Sequence, residues 1–476
     1  MATVYLIDDP AVAGDKAFNW QQEFPEVFAK GRFDVVIGNP PYGASFNDKE
    51  KKYLSNFKTY KYRFESYVYF FESGINLLKT GGFLGYITPE LWLNLENCLP
   101  LRSLIFNAVD LIEINIVGEN VFIDAVVNTV ITILSREKKR EAFAIVDKDI
   151  KWNLSYDSWG QNQMLSIEYR INSNHQKIIN RIDENSTPLN EIGKVIQGIT
   201  PYDKYRGQDP KLIKKRAYHF NYKKDDSCGK WLNGDDVNRY SLTWGGEWLS
   251  YGQWLAAPRE KIFFEGPRLI FREIPGRSRR IQASLIEEIA YYGHSITPFV
   301  LKDRYNIQIL KMILCFVNSE LFSWYGNLKL PNFGKQIFPK MNPQDIKLLP
   351  IPKINQVDQI PFVSKADIML FKNKELQQLK LQLLQLLQSK YENLALSKKL
   401  QDWPTLSFKE FLKELDKQKI KLTLPEQAEW MHYFEAEKTK ANSIQQLLAQ
   451  TDKEIDQMVY TLYSLTEEEQ KIVEAG

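Results

Sequence analysis

Apolar residues cluster at Phe33, Val35, Val36 and Ile37 and stop at Gly38. A block of about five β-branched and aromatic residues without polar alternation predicts a strand buried on both faces, as in a parallel sheet. Further on, "VVNTVITIL" alternates and predicts another strand, and the charged "SREKKRE" marks the exit from that region. "NHQKIINRIDEN" has the spacing of a helix. From Pro188 the apolar runs are short and separated by "GITPYD", "NGDD", "WGGEW" and "IPGR", turn signals that predict a β-rich segment. Within it "NIQILKMILCFVNSELFSWY" reads as one helix. After Pro352, leucines fall three and four apart in "LFKNKELQQLKLQLLQLLQSKYENL", and "EWMHYFEAEKTKANSIQQLLAQTDKEIDQMVYTLYSL" supplies a second amphipathic helix. With "DWPTLSFKEFLKEL" between them as a loop and short helix, they predict an antiparallel hairpin, with a coiled-coil dimerisation arm as the competing view. The divisions expected are 1–140, an α/β domain; 141–187, a connector; 188–353, an α+β, β-rich domain; and 354–476, a helical domain.

The first strand runs into Asn39-Pro40-Pro41-Tyr42. Neither proline has an N–H to donate, so sheet pairing must stop there. Asn39 precedes a proline and is held extended. A stiff tip at the carboxyl end of a parallel strand lies where open α/β sheets place ligands. The Asn39 side-chain carbonyl and the Pro40 main-chain carbonyl are acceptors, and Tyr42 adds a flat ring. A planar amino group on a conjugated ring has two hydrogens to give. Two acceptors gripping them would orient the nitrogen and localise its lone pair, while the tyrosine stacks on the ring. A nucleobase would have to leave its duplex to enter, at a cost of roughly a few kcal/mol. Pro-Pro-x-Tyr strings also serve as ligands for aromatic-grooved adaptor domains, but those lie in exposed polar segments. A double-proline turn with no ligand is the other reading.

Composition narrows the class. Apolar content of 44% and charge of 25% are ordinary for a globular protein. Cys98, Cys228 and Cys315 are far apart and four histidines are scattered, so no metal spacing appears, and the cysteines read as reduced thiols of a cytoplasmic protein. No run of 18 apolar residues and no signal peptide before Asp8 is found, which predicts neither membrane nor export. The net charge of +3 is small but uneven: residues 188–353 hold 26 Lys and Arg against 16 Asp and Glu. A basic middle in an otherwise acidic chain is a footprint for phosphate backbone. Basic residues interleave with aromatics in "KLIKKRAYHFNYKK" and "RLIFREIPGRSRRIQ", making Lys214, Lys215, Arg216, Arg272, Arg277, Arg279 and Arg280 the candidate DNA contacts.

Together these segments resemble the gamma-class DNA adenine-N6 methyltransferases, in particular the long bifunctional type IIG restriction–modification enzymes. "FNWQQEFPEVFAKGRFDVVIGNPPYG" resembles the family's approach to its catalytic loop, and "YFFESGINLLKTGGFLGYITPELWL" the helix and strand that follow. "VGENVFIDAVVNTVITIL" resembles the strand pair that completes the base pocket. "WLSYGQWLAAPREKIFFEGPRLIFREI" and "FGKQIFPKMNPQDIKLLPIP" resemble the target-recognition domain, and "EIDQMVYTLYSLTEEE" the usual terminus. The resemblance implies that Asn39, Pro40, Pro41 and Tyr42 are the catalytic residues holding a flipped adenine, with Phe122 against its edge. It implies the second half of a Rossmann-like methyltransferase sheet, S-adenosylmethionine as methyl donor, no metal, and double-stranded DNA as partner.

One part of the family's pattern is missing. A Gly-rich loop and two acidic strand ends for S-adenosylmethionine require on the order of a hundred residues before the catalytic strand, and only 32 precede Phe33. "KTGGFLGY" follows a helix and opens a strand, the wrong order for a cofactor cradle, and Asp8 and Asp9 after "VYLI" read as surface carboxylates, with the remnant of an acidic strand end as the other reading. The expectation is a partial catalytic domain, inactive alone, whose missing half belongs to a separate polypeptide or has been lost. A non-catalytic DNA-recognition subunit is the alternative. Protein glutamine and RNA guanine methyltransferases also use Asn-Pro-Pro-Tyr, but their chains end soon after the catalytic domain. Asn39 in place of Ser or Asp favours adenine over cytosine-N4 chemistry. No Asp…Glu-x-Lys nuclease constellation is visible.

Overall fold

In the computed structural model the chain forms two compact units, Met1–Ser173 and Asn174–Gly476. The structure describes all residues except 1–5, 62–64, 119–127, 138–139, 149, 162, 168, 335–338, 392–393 and 476.

The first unit is built on a mixed sheet of six strands: β1 (Phe33–Gly38), β2 (Leu78–Pro89), β3 (Asp110–Gly118), β4 (Thr129–Ser135), β5 (Ala142–Asp147) and β6 (Ile150–Ser155). Their order is β1-β2-β4-β3-β5-β6. β1 and β2 run parallel, with Gly38 beside Tyr86. β4 lies antiparallel between β2 and β3, β3 and β5 are parallel, and β6 closes the sheet antiparallel to β5. The parallel β1–β2 pair needs a crossover, and the helix Tyr67–Leu77 provides it. Tyr67, Val68, Phe71 and Ile75 of that helix are buried in one core with Leu84, Trp92, Leu111, Ile114 and Leu134. Truncating Phe71 to alanine would cost about 3–5 kcal/mol.

Two expectations change here. β1 is not buried on both faces: Val36 packs against the core, whereas Val35 is 51% exposed and Ile37 81%. Val35 and Ile37 share one face of the strand, and that face opens on a groove rather than on the core. Among the described residues β1 pairs only with β2, so it is the edge of the sheet rather than a central strand. Nor is 141–187 simply a connector, because β5 and β6 extend the sheet and the helix Ser173–Glu184 lies almost wholly in the second unit. "FAIVD" is short and follows a charged run, which hides its pairing with β3.

The second unit is β-rich in its first half. One four-stranded sheet has the order Ala290–Tyr292, Cys228–Leu232, Trp248–Ser250, His219–Phe220; another has Ala283–Ile286, Arg268–Arg272, Ile296–Leu301, Gly193–Val195. Ser186–Pro188 pairs with Pro350–Pro352, so the chain enters and leaves this region side by side. The single helix expected at 306–325 is two, Ile307–Asn318 and Glu320–Lys329, bent by 65°. Ser319 breaks it by capping the second helix, its side chain accepting from the Phe322 N–H. Among the described residues no single helix is long and apolar enough to cross a membrane.

The long helices Gln356–Lys390 and Leu424–Leu462 are antiparallel, tied by Lys365–Glu454 at one end and Lys390–Glu426 at the other. Between them the helix Phe408–Asp416 opens with a capping box, Ser407 to Glu410. Leu387, Trp403, Phe411 and Phe434 form the core of this head. Arg239–Asp452 and Arg280–Asp456 tie the hairpin to the β-rich half.

Candidate active site

The tip after β1 is held from below and above. Pro40 is buried, Pro41 half-buried, and Asn39 exposed. Ser66, itself buried at the start of the crossover helix, bridges the loop: its hydroxyl donates to the Pro41 carbonyl and accepts from the Ala44 N–H at 3.3 Å. Among the described residues nothing hydrogen-bonds the Asn39 amide or the Pro40 carbonyl. Both acceptors named from the sequence are therefore presented without a competing donor. Tyr42 is half-buried, its ring packed against the core of the first unit, and burial raises its phenol pKa. A ring so anchored offers a fixed face rather than a mobile one.

Beside the tip runs a groove of about 560 Å³, walled by β1, Trp20, Phe70 and Tyr86. Two glycines make room for Tyr86. A Cβ on Gly38 would lie 3.1 Å from its ring, and one on Gly74 would lie 2.5 Å from its hydroxyl oxygen. At the carboxyl end of β2, Glu90 accepts from the Tyr169 hydroxyl and from Asn128 Nδ2. Sequence reasoning singled out neither Ser66 nor Tyr86, since only the fold brings them to the loop. Phe122, the residue expected against the base edge, lies outside the described residues.

The groove does not by itself suit S-adenosylmethionine. Its lining holds no acidic residue for the ribose hydroxyls or the methionine amine. The acids of the adjoining hollow are Asp8 and Glu72. Asp8 accepts from the Tyr53 hydroxyl, and Glu72 accepts from the Lys58 and Thr59 amides and the Thr59 hydroxyl. Asp9 caps the short helix Pro10–Ala13.

The basic residues named from the sequence divide in the second unit. Lys214, Lys215 and Arg216 are all exposed, at the end of the helix Pro210–Lys214. Arg277 is exposed and Arg279 half-buried. Arg272 pairs with Asp235 at 2.5 Å and donates to the Ile274 carbonyl. Arg280 faces inward, pairing with Glu320 and Asp456 and donating to the Asn318 carbonyl. Its guanidinium is engaged inside the unit rather than presented to DNA.

Residues 3–122 match the Eco57I restriction-modification methylase family. Residues 229–351 match the TaqI-like C-terminal specificity domain, and 355–459 match a domain of unknown function, DUF8810. A curated relative from Methanocaldococcus jannaschii, named as a type II restriction enzyme and methyltransferase, is 26% identical over 353 residues. The match covers 71% of this chain and 28% of that protein, so the chain spans less than a third of its relative's length. Among solved structures, the type IIL restriction-modification enzyme MmeI in complex with DNA is 9% identical with a TM-score of 0.44, over 91% of this chain and 54% of that one. The type IIG restriction endonuclease BpuSI is 12% identical with a TM-score of 0.37, over 70% and 49%. By its sequence matches, the chain carries a segment similar to the Eco57I restriction-modification methylase family and, after it, one similar to the TaqI-like C-terminal specificity domain.

Proposed function

We propose that this chain is the base-holding and target-recognition part of a DNA adenine-N6 methyltransferase of a restriction–modification system. The observation that carries the reading is the pair of unengaged acceptors, the Asn39 side-chain carbonyl and the Pro40 carbonyl, on a loop pinned by Ser66. Each would accept one hydrogen of an adenine amino group, leaving the nitrogen lone pair directed away from both. Tyr42 would stack on the flipped base, a contact worth roughly 1–3 kcal/mol. The sheet around it corresponds in this reading to the second half of a Rossmann-like methyltransferase sheet, and 188–353 is the DNA-binding domain. S-adenosylmethionine would supply the methyl group. The groove residues do not fit that cofactor, so its polar contacts must come from elsewhere, and the chain alone should bind it weakly. Micromolar affinity in calorimetry would remove this part of the proposal.

The test is co-expression with a companion segment carrying the cofactor motifs, in a host without adenine methylation. Mass spectrometry of the genomic nucleosides should show N6-methyladenine for the wild type and none for Asn39→Ala. N4-methylcytosine instead, or no modified base, overturns the reading. The absence of acids in the groove favours a second reading, a DNA-recognition subunit without catalysis. It predicts duplex binding together with an unmodified genome.

A further inference from the structure

The helix Pro210–Lys214 ends in a Schellman turn: the Ala217 N–H bonds the Leu212 carbonyl and the Arg216 N–H bonds that of Ile213. The residue between must adopt the left-handed conformation, where glycine is the default. Here it is Arg216, at φ +46°. A long side chain kept at a glycine position calls for a reason in its contacts.

Arg216 Nη2 donates to Glu247 Oε2 at 2.9 Å. Glu247 is itself fixed, its carbonyl accepting from the Trp231 N–H at 2.8 Å and from the Trp244 indole N–H at 2.9 Å. Arg216 Nε, Nη1 and the second hydrogen of Nη2 have no partner among the described residues, so the Nη1/Nη2 end keeps two parallel donors. They stand at a notch of about 460 Å³ formed with Lys215, His219, Phe220, Asn221 and Gly245–Gly246. Lys214 is also exposed, as are Tyr222, Lys223 and Lys224, of which Lys223 pairs with Asp226 and Lys224 lies over the Phe220 ring. The carboxylate cancels most of the arginine's attraction for phosphate, while fixing where its remaining donors point. That combination suits a neutral, planar pair of acceptors.

We propose that Arg216, positioned by Glu247, reads the O6/N7 edge of a guanine in the target sequence, while Lys214 and Lys215 beside it hold phosphates. The assignment rests on the reading of this region as the DNA-recognition domain. A bidentate arginine–guanine pair discriminates against other bases by about 5- to 150-fold.

The full chain would be used to select duplexes from a randomised library, and affinities measured across a salt series. Wild type should enrich guanine at one position. Arg216→Gly should lose that preference while its melting temperature stays level or rises, because glycine suits the left-handed turn. Arg216→Lys should keep affinity and lose the preference. Glu247→Ala should weaken the preference yet raise low-salt affinity, an outcome a purely structural pair would not give. Lys214→Ala/Lys215→Ala should weaken all duplexes alike with the preference intact. An unchanged consensus in Arg216→Gly, or a uniform loss of affinity across sequences, overturns the assignment while leaving the recognition domain standing. Equal binding of every duplex by the wild type overturns both.

Discussion

At Asn39–Tyr42 the polar atoms on offer are a main-chain carbonyl and a short amide, fixed by two prolines and the Ser66 hydroxyl. At Arg216–Glu247 they sit on a long side chain, fixed by an ion pair that spans 31 residues of sequence. The loop is rigid because its backbone has few conformations. The notch is rigid only because a second side chain restrains the first. The difference teaches what each site can tolerate: the loop should fail when one atom is removed, the notch when one orientation is lost.

The largest expected effect is at the loop. In the enzyme supplied with its cofactor segment, Asn39→Ala should slow single-turnover methylation by about 10²–10³, roughly 3–4 kcal/mol, with gel-shift affinity for DNA nearly unchanged. A wild-type rate would make the loop a plain turn. Ser66→Ala tests the backbone side of the comparison. Losing one hydroxyl that serves both Pro41 and Ala44 should cost about 1–3 kcal/mol of positioning, read as a rate about 5- to 150-fold lower with unaltered DNA affinity. Should the rate hold, the prolines alone set the loop.

At the basic edge the effects are smaller and spread out. Each of Lys214 and Lys215 that contacts a phosphate should, when changed to alanine, reduce the log–log salt slope of duplex binding by about 0.9. A slope unaffected by the double change would remove the phosphate role. The smallest effect is one of pH. Burial, with Arg216 beside it, pushes His219 down to about 4, below its unfolded value of about 6.5. The unfolded state then binds more protons, so this contribution is complete above about 6.5 and is lost as pH falls toward 4. Asp456 works the other way. Burial pushes it up to about 6, so its contribution is complete below about 3.9 and is lost as pH rises through 6. Melting curves between pH 4 and 7 should therefore slope more steeply for Asp456→Asn than for wild type. Parallel curves would mean that neither group is linked to unfolding as described.

What the sequence discloses follows the same division. Two prolines after an apolar block state their own conformational consequence, so the acceptors of the loop are visible before any fold is known. The long helices declare themselves by leucine spacing, though the break at Ser319 does not, because a lone serine inside an apolar run is ordinary. Ser66 cannot be found this way, being 25 residues from Pro41. Arg280 shows the opposite failure, since a basic cluster says nothing about which guanidinium turns inward to meet Glu320 and Asp456. Whether a groove opens on one face of a strand is also silent in the sequence, which is why β1 appears doubly buried when read from its residues alone.

That exposed edge has a practical consequence for handling the protein. β1 is short and apolar, carries Asp34 as its one charged residue, and presents Val35 and Ile37 to solvent. Native sheets usually protect such edges with prolines, bulges or inward charges, and β1 has only the two prolines that follow it and Asp34, whose charge is paired with Lys79. Purified by itself at high concentration, the chain should therefore self-associate, and added salt should promote the association rather than disperse it. Light scattering against concentration would show this, and Ile37→Lys, which alters no atom of Asn39–Tyr42, should keep the solution clear.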